Sequence, residues 1–304
     1  VKEEISDVLV AVLYHSKLGE NFSKMLESLA NIKPYSNIIL LFIDNYSKDG
    51  AHDLVNSWID RYGERYKGII HVRARGNPVR LRNIALKLGY DIGVKYLSFI
   101  ESDVIVDEDF LTREFKLMKE YQKNVISVSA VRYTPYEYLD FFEKCITKWL
   151  RGRNTVNAGV FEGEAFNSGN CLIDLSKVPE VGWFDEDIVF IEDLDWGRRA
   201  TRRGFVCLFD GRVQLLHMKK YSVKDLRKYF FKGALSEAKL FLKNRLAKAA
   251  LRRISYWNGL FLSMLIIPYN VHTVFNSSGN WLGSLRYEVY GLGAIIALSN
   301  FNAR

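Results

Sequence analysis

Apolar runs of seven to ten residues alternate with amphipathic segments along the first half of the chain. The runs are DVLVAVLY (7–14), NIILLFID (37–44), GIIHVRA (68–74), VKYLSFI (94–100) and NVISVSAVRY (124–133). Their length and their Val/Ile content predict strands, most of them covered on both faces. Between them, apolar residues recur at helical spacing. Phe22, Met25, Leu26 and Leu29 mark a helix over 21–32, and similar periodicity predicts helices over 51–65, 79–93 and 108–121. Strands alternating with helices predict an α/β fold: a mostly parallel sheet flanked by helices, with a Rossmann-like nucleotide-binding half.

Beyond residue 133 the pattern changes. TPYEYLDFFEKCITKWL opens with Thr134 at an N-cap, Pro135 at N1 and Glu137 at N3, which predicts a further helix. Residues 154–170 are rich in Asn and Gly and read as loops and short strands. A last strand, in VQLLHMKK, ends at His217.

In sheets of this class ligands bind beyond the carboxyl ends of the strands. Polar residues gather at those ends: Tyr14 and His15 after the first run, Asp44 after the second, and Glu101, Asp103 and Asp107 after the fourth. An unpaired buried carboxylate is costly, so acids at the end of a buried run call for a positive partner. Glu101 and Asp103 are two apart on an extended chain and share a face. They suit a hard divalent cation, or they are a solvated strand end with Asp107 capping the next helix. Asp44 is placed to accept from a ribose or base, or belongs to an ordinary turn. Arg82, on a helix beside the same end of the sheet, can pair with a phosphate. Glu192, Asp193 and Asp195 open a helix, where the macrodipole favours acids. Apolar neighbours from Trp183 to Ile191 also suit a carboxylate that serves as a base. His217 faces the same edge as a candidate metal or phosphate ligand.

In order, the chain carries Asp44-Asn-x-Ser-x-Asp49-Gly, then Arg82-Asn83, then Glu101-x-Asp103, then GWFDED with Glu192-Asp193-x-Asp195, and a strand ending at His217. This resembles the family 2 glycosyltransferases of the GT-A fold, over about residues 7–220. The resemblance implies a nucleotide-diphospho-sugar donor (a UDP-sugar, the family's commonest), Mn2+ or Mg2+, and inversion at the anomeric carbon. It implies that Asp44, with Tyr14 and His15, contacts the nucleotide and Arg82 the diphosphate. Asp103 and Glu101 would hold the metal with His217 beside it, and Asp193 of the Glu192-Asp193 pair would be the general base. The first acid of the metal pair is Glu where the family pattern has Asp.

The formal charge of +8 changes the picture further. Residues 221–253 hold ten Lys/Arg against two Asp/Glu, so the remaining chain is balanced. That concentration points to a local anionic partner, a membrane surface, and not to nucleic acid. Ser222 and Asp225 form a capping box for a basic amphipathic helix. The apolar run in 256–275 is short for a span, and 281–301 carries Arg286 and Glu288. Two parts are therefore expected: a catalytic domain, 1–220, and a basic and apolar helical region, 221–304, on the inner face of the cell membrane. The acceptor group expected there is a hydroxyl or a phosphate, on a lipid-linked acceptor or a surface glycan. The N-terminal VKEEISD carries no leader pattern. Three widely spaced cysteines argue against a disulfide framework and fit a cytoplasmic setting. Two other readings compete: a metal-dependent nucleotidyltransferase, which needs no base at Asp193, and a non-catalytic nucleotide-sugar or membrane-binding module.

Overall fold

The computed structural model describes residues 7–16, 19–121, 123–133 and 159–218, with scattered positions between 231 and 243. The helix expected from Thr134 and nearly all of 221–304, including both apolar runs, lie outside the described residues. The chain divides into two compact units, Val1–Glu186 with Glu192–Lys220, and Asp187–Ile191 with Tyr221–Arg304. In the second, Lys243 forms an ion pair with Asp187 at 2.8 Å.

The first unit is built on β1 (Val8–Tyr14), β2 (Ile38–Asp44), β3 (Gly68–Arg73) and β4 (Tyr96–Glu101). Helices α1 (Glu20–Leu29), α2 (Ala51–Tyr62) and α3 (Pro78–Asp91) connect them. There follow β5 (Val104–Ile105), α4 (Phe110–Glu120), β6 (Val125–Tyr133), β7 (Val160–Gly163) and β8 (Asn170–Asp174). A short helix α5 (Val178–Val181), α6 (Glu192–Thr201) and β9 (Val206–His217) complete it. The strands form one sheet in the order β3-β2-β1-β4-β8-β6-β9-β5, with β7 also paired to β9. β1, β2, β3 and β4 are mutually parallel, as their apolar runs predict. β8 is antiparallel to both its neighbours.

Both sheet faces are covered. Val8, Val10, Val12 and Tyr14 of β1 pack with Phe22, Met25 and Leu29 of α1, Val55 of α2 and Phe115 of α4. The intervening Leu9 and Ala11 pack with Ala85 and Leu86 of α3, Val178 of α5 and Trp196 of α6. A strand buried on both faces has no polar alternation, which is why these segments read as continuous apolar runs. Each large side chain that is fully buried removes about 1.5–3 kcal/mol worth of apolar surface from water. The helix starts are local. Asn77 caps α3 by accepting the Arg80 amide at 2.9 Å, with Pro78 at the first helical position. The acids expected to open a helix do open α6.

Candidate active site

The chain leaves β1 outward to β2 and β3, then returns to β4 on the other side of β1. That reversal creates a switch point, where the loops after the two strands diverge and leave a crevice. A cleft of about 350 Å³ lies there. Leu13, Tyr14 and His15 line it from the end of β1, and Phe99 through Asp103 from the end of β4. Asn45 from beyond β2, Pro78, Leu81 and Arg82 of α3, and Ser168 and Gly169 ahead of β8 complete the wall.

Two residues of this wall, Glu101 and Asp103, form a group of three potential metal ligands with His217. One oxygen each from Glu101 and Asp103 and one ring nitrogen of His217 lie within 4.8 Å of one another. His217 Nε2 is 3.5 Å from Asp103 Oδ1. Strand β5 brings them together. It pairs Val104 with His217, and the Met218 amide donates to the Asp103 carbonyl at 2.9 Å. Two carboxylates and an imidazole within reach of one another suit a divalent cation. The acid run splits here, because Asp107 points elsewhere and pairs with Arg113 at 2.6 Å.

A second cluster ties three segments. Arg82 Nη1 donates to Glu192 Oε1 at 2.7 Å, and its Nε donates to the Ser168 carbonyl at 3.2 Å. The Ser168 hydroxyl donates to the same Glu192 oxygen at 2.9 Å. Glu192 is 4% exposed, so its carboxylate acts as an anchor. It fixes the first turn of α6, and with it Asp193, to a helix and a loop that line the cleft. Asp193 is partly exposed and accepts the Leu194 amide at 2.8 Å. Helix α6 is held close by its glycine. A Cβ on Gly197 would lie 2.7 Å from the Ala165 Cα and the Glu164 carbonyl oxygen.

Asp44 ends β2 fully buried. It accepts the Ser47 amide at 2.7 Å and Arg73 Nε at 3.0 Å, with His52 Nδ1 at 3.1 Å. Burial pushes this carboxyl up, but the Ser47 hydrogen bonds and the Arg73 charge outweigh it and hold it below the usual range. In register with Asp44 on β1, Tyr14 meets His71 at 2.7 Å, and His71 Nδ1 meets Asn56 Oδ1 at 2.9 Å. Burial and the neighbouring His52 push His71 down to about 4, so the ring is neutral at physiological pH. It donates from Nδ1 to Asn56 and accepts the Tyr14 hydroxyl at Nε2. His15 is exposed at the rim and meets the Asn45 carbonyl at 2.8 Å.

The structure thus gathers Tyr14, His15, Arg82, Glu101 and Asp103 on one cleft and sets His217 against Asp103. Asp44 sits behind that wall in a polar network. Sequence reasoning missed Ser168, Gly169, Asn45 and the His52–His71–Arg73 group. The first two fall in the Asn- and Gly-rich run before β8, whose only local signal was a glycine next to a buried strand.

The chain is similar to several known proteins. Over 242 residues it is 21% identical to a probable glucomannan 4-beta-mannosyltransferase 11 of Oryza sativa subsp. japonica. That alignment takes in 75% of this chain and 41% of the rice protein, so the chain spans about two fifths of that relative. Its fold matches mannosyltransferase PcManGT from Pyrobaculum calidifontis, solved with GDP-Man and Mn2+, with a TM-score of 0.59 at 16% identity. The match covers 97% of this chain and 81% of that one. S. aureus TarS 1-349, solved with UDP-GlcNAc, matches with a TM-score of 0.54 at 14% identity, covering 94% and 80%. The mixed sheet flanked by helices is the GT-A glycosyltransferase fold. The family model for glycosyl transferase family 2 matches residues 10–173, more than half of the sequence, and the chain belongs to that family.

Proposed function

We propose that this chain is an inverting glycosyltransferase that moves a sugar from a nucleotide-diphospho-sugar to an acceptor hydroxyl. The observation that carries the proposal is the grouping of His217 with Glu101 and Asp103, two residues that line the switch-point cleft. These three side chains fit Mn2+ better than Mg2+, because one donor is an imidazole nitrogen. When bound there, the metal supplies charge neutralisation for the departing nucleoside diphosphate.

The chain's own residues do the rest. Tyr14 and His15 flank the nucleotide, with Asp44 and its hydrogen-bonded partners holding the strand ends behind them. Arg82 faces the diphosphate while Glu192 and Ser168 keep its guanidinium in one orientation. Asp193 accepts the proton of the acceptor hydroxyl as that oxygen attacks the sugar C1 from the face opposite the leaving group. The aspartate accepts that proton late, when the hydroxyl has become acidic in the transition state. The donor is drawn from GDP- and UDP-sugars: the solved neighbours hold GDP-Man and UDP-GlcNAc, and UDP is the commoner choice in the family. We further assign residues 1–220 as the catalytic domain and 221–304 as a region that meets the cytoplasmic leaflet, with a lipid-linked or surface-glycan acceptor.

The test is calorimetric binding of GDP-mannose, UDP-GlcNAc and UDP-glucose with and without Mn2+, on the wild type and on Asp103→Ala. One donor should bind in a Mn2+-dependent way, and the variant should lose that dependence with its fold intact. Mn2+-dependent binding by Asp103→Ala at wild-type affinity would remove the site as assigned.

A further inference from the structure

The Glu101 side chain occupies the place where any other residue at 169 would carry its Cβ. A Cβ built on Gly169 lies 2.3 Å from Glu101 Cδ, 2.4 Å from Oε1 and 2.5 Å from Cγ. The backbones are locked as well, since the Glu101 amide donates to the Gly169 carbonyl at 2.8 Å. Gly169 does not have a positive φ, so the backbone does not demand glycine. The three atoms nearest to that Cβ all belong to the Glu101 side chain.

We infer that Gly169 is a positioning residue: its bare backbone seats the Glu101 carboxylate toward Asp103 and His217. The reason lies in the length of glutamate. Where a metal site takes its first acid from a residue one methylene longer than aspartate, the extra reach must be folded back or the oxygen overshoots. The space above Gly169 is where that length goes. The neighbouring Ser168 anchors Glu192, so one dipeptide braces both the metal ligand and the helix that carries Asp193.

This inference rests on the metal site proposed above, and two readouts separate them. Loss of a group that orients a metal ligand typically costs about 10–100-fold in metal affinity. Gly169→Ala should therefore weaken Mn2+ binding, measured by calorimetry or by the free Mn2+ EPR signal, about tenfold or more. Glu101→Ala and the double variant Glu101→Ala/Gly169→Ala should bind Mn2+ equally, because the residue through which Gly169 acts is gone. The second readout is the melting temperature without metal. Gly169→Ala should lower it in the wild-type background and leave it unchanged or higher in the Glu101→Ala background. The double variant should fold even if Gly169→Ala alone does not. Wild-type Mn2+ affinity in Gly169→Ala overturns the inference, as does a melting-temperature loss of equal size in both backgrounds or misfolding of the double variant. If the wild type binds no Mn2+ but the melting-temperature cycle behaves as stated, the pairing of Gly169 with Glu101 stands and the metal assignment falls.

Discussion

Asp193 and Glu192 are neighbours in one helical turn, yet their surroundings differ. Glu192 is nearly inaccessible, and one of its oxygens receives a guanidinium and a hydroxyl. An oxygen so engaged is committed to those two donors and ties three segments together. Asp193 is more exposed. On that contrast we propose Glu192 as the tether and Asp193 as the base. Asp193→Asn keeps the size of the side chain and its hydrogen bond to Leu194 but removes the acceptor of the proton. Turnover should fall by about 10²–10⁴-fold, with donor affinity unchanged. Single-turnover rates alongside donor calorimetry check this. A matching collapse of donor affinity would make Asp193 a donor or metal residue.

Among the elements, α4 carries a feature that bears on stability. Its inner face packs Phe110, Leu111, Phe115 and Met118 into the core, and Glu114 lies among them, fully buried. Neither Glu114 oxygen has a hydrogen-bond partner among the described residues, and the same holds for Ser98 Oγ and both side-chain polar atoms of Asn170. Burial, and then the nearby Asp210 charge, push the Glu114 carboxyl well above its ordinary range. Burial without a partner among the described residues therefore favours the neutral form in the fold, whereas the unfolded chain ionises in the ordinary carboxylate range. A raised folded pKa contributes stability that is complete below the unfolded value and is lost as pH rises above it. Each pH unit between the two pKa values removes about 1.4 kcal/mol. Glu114→Gln escapes this loss. Its melting temperature should exceed that of the wild type at pH 8, with the gap closing toward pH 4. A gap that does not vary between those pH values would show that the carboxyl is not held neutral.

At the scale of the whole molecule, charge is segregated by chain position. The surplus of eight lies in residues 221–253, and the most apolar run follows it. Among the described residues no helix is long and apolar enough to cross a membrane. The attachment proposed here is electrostatic and interfacial, and it rests on that basic segment and the apolar run after it. Each Lys or Arg near an anionic leaflet contributes about 1 kcal/mol, fading within a Debye length. Flotation with liposomes should need anionic lipid, weaken with salt, and fall when Lys239, Lys243, Arg245 and Lys248 become Gln. Flotation that is equal with neutral lipid at high salt removes the electrostatic component, and none under any condition leaves a soluble acceptor as the better proposal.

The sequence by itself determined what depends on neighbours along the chain. Buried strands need apolar runs, and helices need a periodic face and a cap. β1 to β4 and α1 to α4 were therefore legible to within a few residues, as was the opening of α6 at Glu192. The acids at the strand ends were legible too, because a carboxylate beside a buried run is conspicuous on energetic grounds. Tertiary structure decided the rest. Strand β8 carries Asn170 and Asp174 at its ends and inserts antiparallel between β4 and β6, and no local periodicity announces such an insertion. β5 is two residues long, yet its pairing with the end of β9 brings His217 to Asp103 while Asp107 turns away to Arg113. The engagement of Glu192 by Arg82 and Ser168, and the seat that Gly169 leaves for Glu101, join segments far apart in the chain. Such contacts form only when the sheet brings its loops together, and one-dimensional patterns of polarity do not encode a distance between two side chains across space.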